Sequence, residues 1–343
     1  MKNNCGVKKR FFDVILVALC SFVGVGFITG AEIWFYFARF GVNMIWGIIV
    51  FGVLIYKLTI FAFSGSGEES YKTTKLKNKV LFVSEILVAS AMISGLFETA
   101  RTLFDKCWFL VFVVAISLLI LLFFSEKKSF IIYNYFVSFF IIFVIVNLFF
   151  SNNNNDFKFI TFNNLNFGLK SSVLSCLFSM IYVFMNVSEI RPILERNSKN
   201  FNFKTKRLIA LFLSILLIFL IFLFSFALFQ NGWTVNFQMP FLMIFKRGGG
   251  VIKFVFLIGV LMTMISTAQG CLIGAKDKLN YLKNDNNFAS IIVILSSLIF
   301  GQIPFWFFIK IIYPILAVLN FNLFVSQIIS SKKLKTCKKV SRV

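Results

Sequence analysis

Ser21-Phe22-Val23-Gly24-Val25-Gly26-Phe27-Ile28-Thr29-Gly30-Ala31-Glu32 lies inside an apolar stretch that runs from Phe11 to Phe40. As one straight helix that stretch would be about 45 Å long, against a hydrocarbon core of about 30 Å. Strong tilt or a break must absorb the difference. Gly24 and Gly26 flank a single valine, and each costs about 1 kcal/mol relative to alanine in a helix. Glu32 adds a charge that costs at least about 2.5 kcal/mol at mid-bilayer. Leucines would span the same distance at lower cost, so these residues ask for a reason.

Working outward, apolar runs recur along the whole chain. Of the 343 residues 59% are hydrophobic and 14% are charged, well below the charged share of about 25% in soluble proteins. Many such runs mean a polytopic membrane protein. Ten spans are expected, at about 11–38, 42–63, 80–103, 107–124, 129–150, 169–188, 207–229, 250–273, 289–308 and 310–330. The last two lie close together. Glycine, asparagine and proline clusters separate the runs, as turn chemistry requires. The N-terminal run continues too far, and lacks a small-residue cleavage site, to read as a signal peptide.

The net charge of +22 would raise nucleic acid as a partner in a soluble protein. Here the basic residues cluster between apolar runs, so no nucleic acid is expected. With the N-terminus in the cytoplasm, segments 1–10, 65–79, 125–128, 189–207, 275–288 and 331–343 are inside. They hold about 25 of the 35 lysines and arginines, which is the asymmetry the positive-inside rule demands. Both termini are then cytoplasmic, and the expected location is a bacterial inner membrane. The basic tail, 331–343, is expected on the inner leaflet, with anionic lipid as a partner. The six cysteines are scattered and histidine is absent, which argues against a zinc site. The fifty phenylalanines suit lipid-facing surfaces and mark no site.

Three explanations compete for the glycines. Small residues let helices approach closely. A dinucleotide fingerprint fails, because Thr29 stands at the third glycine position and no βαβ unit fits this setting. A broken helix would free backbone groups to bind an ion and a small polar solute. The last reading demands a second interruption where the second half begins. There the chain reads Tyr182-Val183-Phe184-Met185-Asn186-Val187-Ser188-Glu189-Ile190-Arg191-Pro192. Apolar character stops at Asn186, and proline blocks continuous helix bonding. The alternative is that span six simply ends there.

These residues resemble a known group. Gly24 to Glu32 resembles the GxGFxSGxE stretch of the YkvI-like membrane proteins, within the amino acid–polyamine–organocation (APC) transporter superfamily. Ala89 to Phe97, the tyrosine–asparagine segment of span six with Tyr182 and Asn186, Gln238 to Leu242, Ser266 to Gly270 and Ile312 to Leu316 resemble that family's other short motifs, with Ala317 where it has glycine. The resemblance implies an all-α, LeuT-like fold with one transmembrane domain, made of a 5+5 inverted repeat. Its halves would be about 11–150 and 169–330, with helices 1 and 6 broken. It also suggests a sodium site in which carbonyls near Ser21, Val23 and Gly24 join the hydroxyls of Ser266 and Thr267. The alternative is that these two hydroxyls back-bond to their own helix.

The function expected is secondary active transport of a small polar solute, an amino acid or related amine, by alternating access, with the sodium that the resemblance suggests, or a proton, as coupling ion. Gly24, Val25, Gly26, Phe27, Thr29, Asn186 and Ser188 are the candidate substrate contacts, and Glu32 the gating or proton-coupling residue. Its alternative role is a fixed salt bridge, with Arg101 as partner. Glu98 and Arg101 are expected to pair on one helix face. No GxSxG, HExxH or P-loop motif appears, so an enzyme is not expected and no cofactor beyond the ion is needed. The competing class is a non-transporting sensor on a transporter fold.

Overall fold

The computed structural model describes residues 2–64, 71–103, 109, 113, 116–117, 137–147, 168–198, 201–234, 236–247, 250–283 and 286–340. Span four lies outside them except for isolated residues, and so do the ends of span five and the 151–167 loop. Among the described residues every regular element is helical. The chain is an all-α membrane protein, and among the described residues six helices are long and apolar enough to cross a bilayer.

The first apolar run forms three pieces: α1 (Lys2–Phe22), α2 (Val25–Ile28) and α3 (Ala31–Tyr36). A 3₁₀ segment, Ala38–Asn43, turns the chain into α4 (Met44–Ser64). The next are α5 (Tyr71–Leu103), α6 (Val137–Asn147), α7 (Leu169–Asn197), α8 (Phe203–Gln230) and the short α9 (Pro240–Arg247). The chain closes with α10 (Gly250–Lys283), α11 (Asn286–Phe300), the single turn α12 (Phe305–Phe307) and α13 (Tyr313–Val340). A π-helical stretch, Phe308–Ile312, joins the last two.

The helices are apolar nearly all round, as lipid contact requires. In α8, Leu213, Leu217, Ile221, Phe224 and Leu228 face the core at helical spacing. Leu208, Phe212, Ile215, Phe219 and Phe222 point outward and are exposed. Polar residues work at the ends. Asn202 caps α8 by accepting the Thr205 amide at 2.9 Å, a bond worth about 1 kcal/mol. Lys206 Nζ donates to the Phe63 carbonyl at 3.3 Å, at the C-terminal end of α4, where a cation suits the helix dipole.

Two groups of helices emerge from the packing. α4 lies along α7 and α8, and α1 packs on the same pair. α5 lies along α10, and α11 packs on both. α13 runs beside α7. α2 sits between the groups, touching α5 and α10.

Three expectations change. Span six is not broken, because α7 runs without interruption from Leu169 past Asn186 and Pro192 to Asn197. A proline withdraws one amide from the ladder, and the turns on either side hold. Asn186 Nδ2 donates to the Tyr182 carbonyl at 2.9 Å, and Asn320 Nδ2 of α13 donates to the Phe184 carbonyl at 3.0 Å. Span nine ends at Phe300, not 308. Gly301 packs so closely on Ile93 of α5 that a Cβ there would meet its side chain at 2.7 Å, and Pro304 starts the last helical run. That run continues as helix to Val340, so most of the basic tail extends α13.

Candidate functional site

The interruption of the first helix is built by backbone geometry. α1 stops at Phe22, and Gly24 N–H turns back to the Phe22 carbonyl at 3.1 Å. One turn of helix follows, and Gly30 then takes the left-handed conformation, with φ +80°. Glycine adopts that conformation at no steric cost. A Cβ at Gly30 would also meet the Phe241 ring at 2.6 Å. The Thr29 carbonyl is taken by the Phe241 amide at 3.0 Å, so the first turn of α9 is tied to the break. At Gly24 a Cβ would meet the flexible end of Met92 at 3.0 Å.

Gly26 has the most specific reason to be glycine. The Glu32 side chain folds back across the break, and its carboxyl and Cγ occupy the space a Gly26 Cβ would need. Glu32 is 2% exposed. Tyr182 Oη of α7 donates to Glu32 Oε2 at 2.9 Å, and the Tyr313 hydroxyl of α13 faces the same carboxyl. Tyr36, one turn after Glu32, stacks on Tyr182 with ring centroids 5.1 Å apart. Its hydroxyl donates to the Ile309 carbonyl at 2.8 Å, inside the π-helical stretch. Such bulges shift the helical hydrogen-bond ladder and recur at functional sites. Tyr36, Tyr182 and Tyr313 are all fully buried. The edges of Phe22 and Phe37 close around Tyr182 at 5.5 and 5.4 Å.

Among the described residues no lysine or arginine pairs with Glu32. Arg39 lies over the rings of Phe35 and Phe178, 4.2 Å from each centroid. Arg101 is exposed, so the fixed salt bridge to Glu32 is not formed. Nor do Glu98 and Arg101 form an ion pair. Glu98 instead accepts from the Phe305 amide at the start of α12.

The other candidates are only partly brought together. Gly24, Gly26, Phe27, Thr29 and Glu32 share the break. Phe27 is fully buried against Phe224, 5.1 Å between centroids, and Phe224 packs on Phe241. Thr29 is buried, its hydroxyl 3.5 Å from the Gly26 carbonyl. Asn186 is buried and spends its amide on its own helix. The side chains of Val25 and Ser188 lie outside the described ones. Ser21 and Val23 are buried at the end of α1, and Ser266 and Thr267 are buried on α10. Their helices touch. Thr267 Oγ1 donates to the Thr263 carbonyl at 3.1 Å, and Ser266 has a partner of its own. The Thr267 bond is the habit of a helix hydroxyl.

No protein-family model matches this chain, and no curated protein matches it. Function must therefore be argued from the site.

The three tyrosines and the π-helical stretch were not anticipated from sequence. A signal existed. The chain has 50 phenylalanines and 8 tyrosines. A tyrosine within an apolar run buries a hydroxyl that needs a partner. Tyr36, Tyr182 and Tyr313 all lie in such runs, and a glutamate or a free backbone carbonyl in the same membrane could supply the partner.

Proposed function

We propose that the protein is a secondary active transporter of a small polar solute, an amino acid or related amine, working by alternating access. The observation that carries this reading is the broken first helix, held between two helix groups. A break in a membrane helix exposes backbone donors and acceptors that hydrocarbon cannot satisfy, and transporters use such breaks at mid-membrane as binding sites. Gly24 to Thr29 supply the backbone of the site. The first-helix interruption and the grouping of α1, α4, α7 and α8 against α5, α10 and α11 support a LeuT-like arrangement of ten spans. The GxGFxSGxE-like stretch supports membership of the YkvI-like group.

The unbroken α7 alters the expected mechanism. Asn186 and Ser188 sit on continuous helix and do not border an opening of their own. The moving part on this reading is the first helix itself, with α2 and α3 rearranging against α7, α9 and the start of α13. In the closed arrangement Phe27, Phe224 and Phe241 fill the space beside the break. Solute entry requires that these rings part.

The experiment is solute retention by proteoliposomes. A pool of amino acids and amines is presented outside, and the vesicle contents are identified by mass spectrometry. Vesicles with the wild-type protein are expected to accumulate at least one solute that empty vesicles do not. Vesicles with Gly26→Leu are expected to lose that uptake. Binding without accumulation would favour a sensor on the same fold, and intact uptake by Gly26→Leu would misplace the site.

A further inference from the structure

We propose that Glu32 is the coupling-cation site of this protein and that the cation is a proton. The coupling role rests on the transport reading above, whereas proton binding at Glu32 does not. The first observation is a carboxyl buried in a membrane helix, with no basic side chain paired to it among the described residues. Hydrocarbon makes a lone buried charge expensive, and intramembrane carboxyls without a basic partner recur in proton relays. The second is the shape of the enclosure. Gly26 closes one side so tightly that a single Cβ would overlap the carboxyl, and Tyr182 occupies Oε2. A proton needs no space beyond what the carboxyl already occupies.

The groups that bear on Glu32 are few. Tyr182 comes from α7, Tyr313 from α13 and Tyr36 from α3 itself. Arg39 of the 3₁₀ segment is held by rings at 4.2 Å. Lys310 of the π-helical stretch lies 4.8 Å over Trp306, and Arg247 of α9 lies 3.7 Å over Trp233. The core-facing part of α8, from Leu213 to Leu228, carries no titratable side chain. Glu32 alternates between carboxylic acid and carboxylate. The proton comes from water on one side of the membrane and returns to water on the other, and the tyrosines keep theirs.

The enclosure also says what must move for exchange. Tyr182 and Tyr313 come from α7 and α13, which pack together, while Glu32 is on the short α3. Tyr36 anchors α3 to the Ile309 carbonyl in the π-helical stretch. Movement of α3 away from α7 would break the Tyr182 bond and open the carboxyl to water. Proton release and opening of the break are then one event.

The test is infrared difference spectroscopy of the reconstituted protein through a pH titration, in sodium and in choline buffer. Wild type is expected to show carbonyl stretches of buried protonated carboxyls, Glu32 and Glu85 both being buried, with one band that belongs to Glu32 and titrates equally in both buffers. Glu32→Gln is expected to lose that band, and Tyr182→Phe to shift it by removing a hydrogen bond. A band unchanged in Glu32→Gln overturns the proposal. So does a spectrum with no titrating carboxyl, or a band that sodium alone displaces. The band with no solute flux would leave proton binding standing and remove the transport role.

Discussion

At the scale of single residues, Gly26 and Glu32 form a pair. The carboxyl takes the volume a Gly26 side chain would fill, so the two positions are coupled. Gly26→Ala is expected to destabilise the protein by about 1–3 kcal/mol through overpacking. In the double variant Gly26→Ala, Glu32→Ala the loss should fall short of the two single losses together, by a coupling of about 0.5–3 kcal/mol. Denaturant unfolding in detergent measures both. Additive losses would mean that the side chain does not lie across Gly26. Gly30→Ala should cost at least about 1–2 kcal/mol, since φ +80° puts a Cβ in conflict with the backbone. Gly24→Ala meets only the flexible end of Met92 and should cost the least of the three.

The need for these glycines was legible in the sequence, because three glycines and a glutamate within one apolar run have no cheap explanation. The contact between Glu32 and Gly26 was not. It depends on the chain folding back over a break, which spacing along a straight helix does not describe.

At the scale of elements, the interruption of the first helix followed from its length and its glycines, and it is present. The matching interruption in α7 did not form. Asn186 is tolerated because its side-chain amide donates to the Tyr182 carbonyl while Asn320 from α13 donates to the Phe184 carbonyl, and Pro192 withdraws a single amide from a helix that continues on both sides. The Asn320 bond comes from another helix, so the local sequence could not reveal it. The π-helical stretch at Phe308–Ile312 was illegible for a similar reason, since it forms where Tyr36 claims the Ile309 carbonyl. Tyr36→Phe is expected to cost about 1–3 kcal/mol by removing the donor from a buried carbonyl. It should also loosen α3. Its amides should exchange with deuterium faster in the variant, while those in the middle of α4 keep their rate. Equal rates in both proteins would mean that the tyrosine does not anchor α3.

At the scale of the whole molecule, composition alone settled the class. Long apolar runs with basic residues between them can only be satisfied by helices in a bilayer. The two helix groups were not predictable from single runs, because they depend on which lipid-like faces choose one another. On the proposed transport reading, the two groups with the broken first helix between them are the bodies that move in alternating access. A coupling proton bound at Glu32 makes a further prediction at this scale. Uptake of the solute should be driven by an imposed pH gradient and should persist when choline replaces sodium. Uptake that stops in choline would contradict it.

The central claim is that the broken first helix binds the solute. Hydrogen exchange on the detergent-purified protein, with and without a pooled panel of amino acids and amines, tests it most directly. A ligand that binds the native state stabilises it by mass action, and the amides it covers should exchange more slowly. The account predicts slower exchange over residues 23–30 when the pool is present, by more than over the middle of α4. Unchanged exchange at 23–30, or protection confined to another part of the chain, would contradict it.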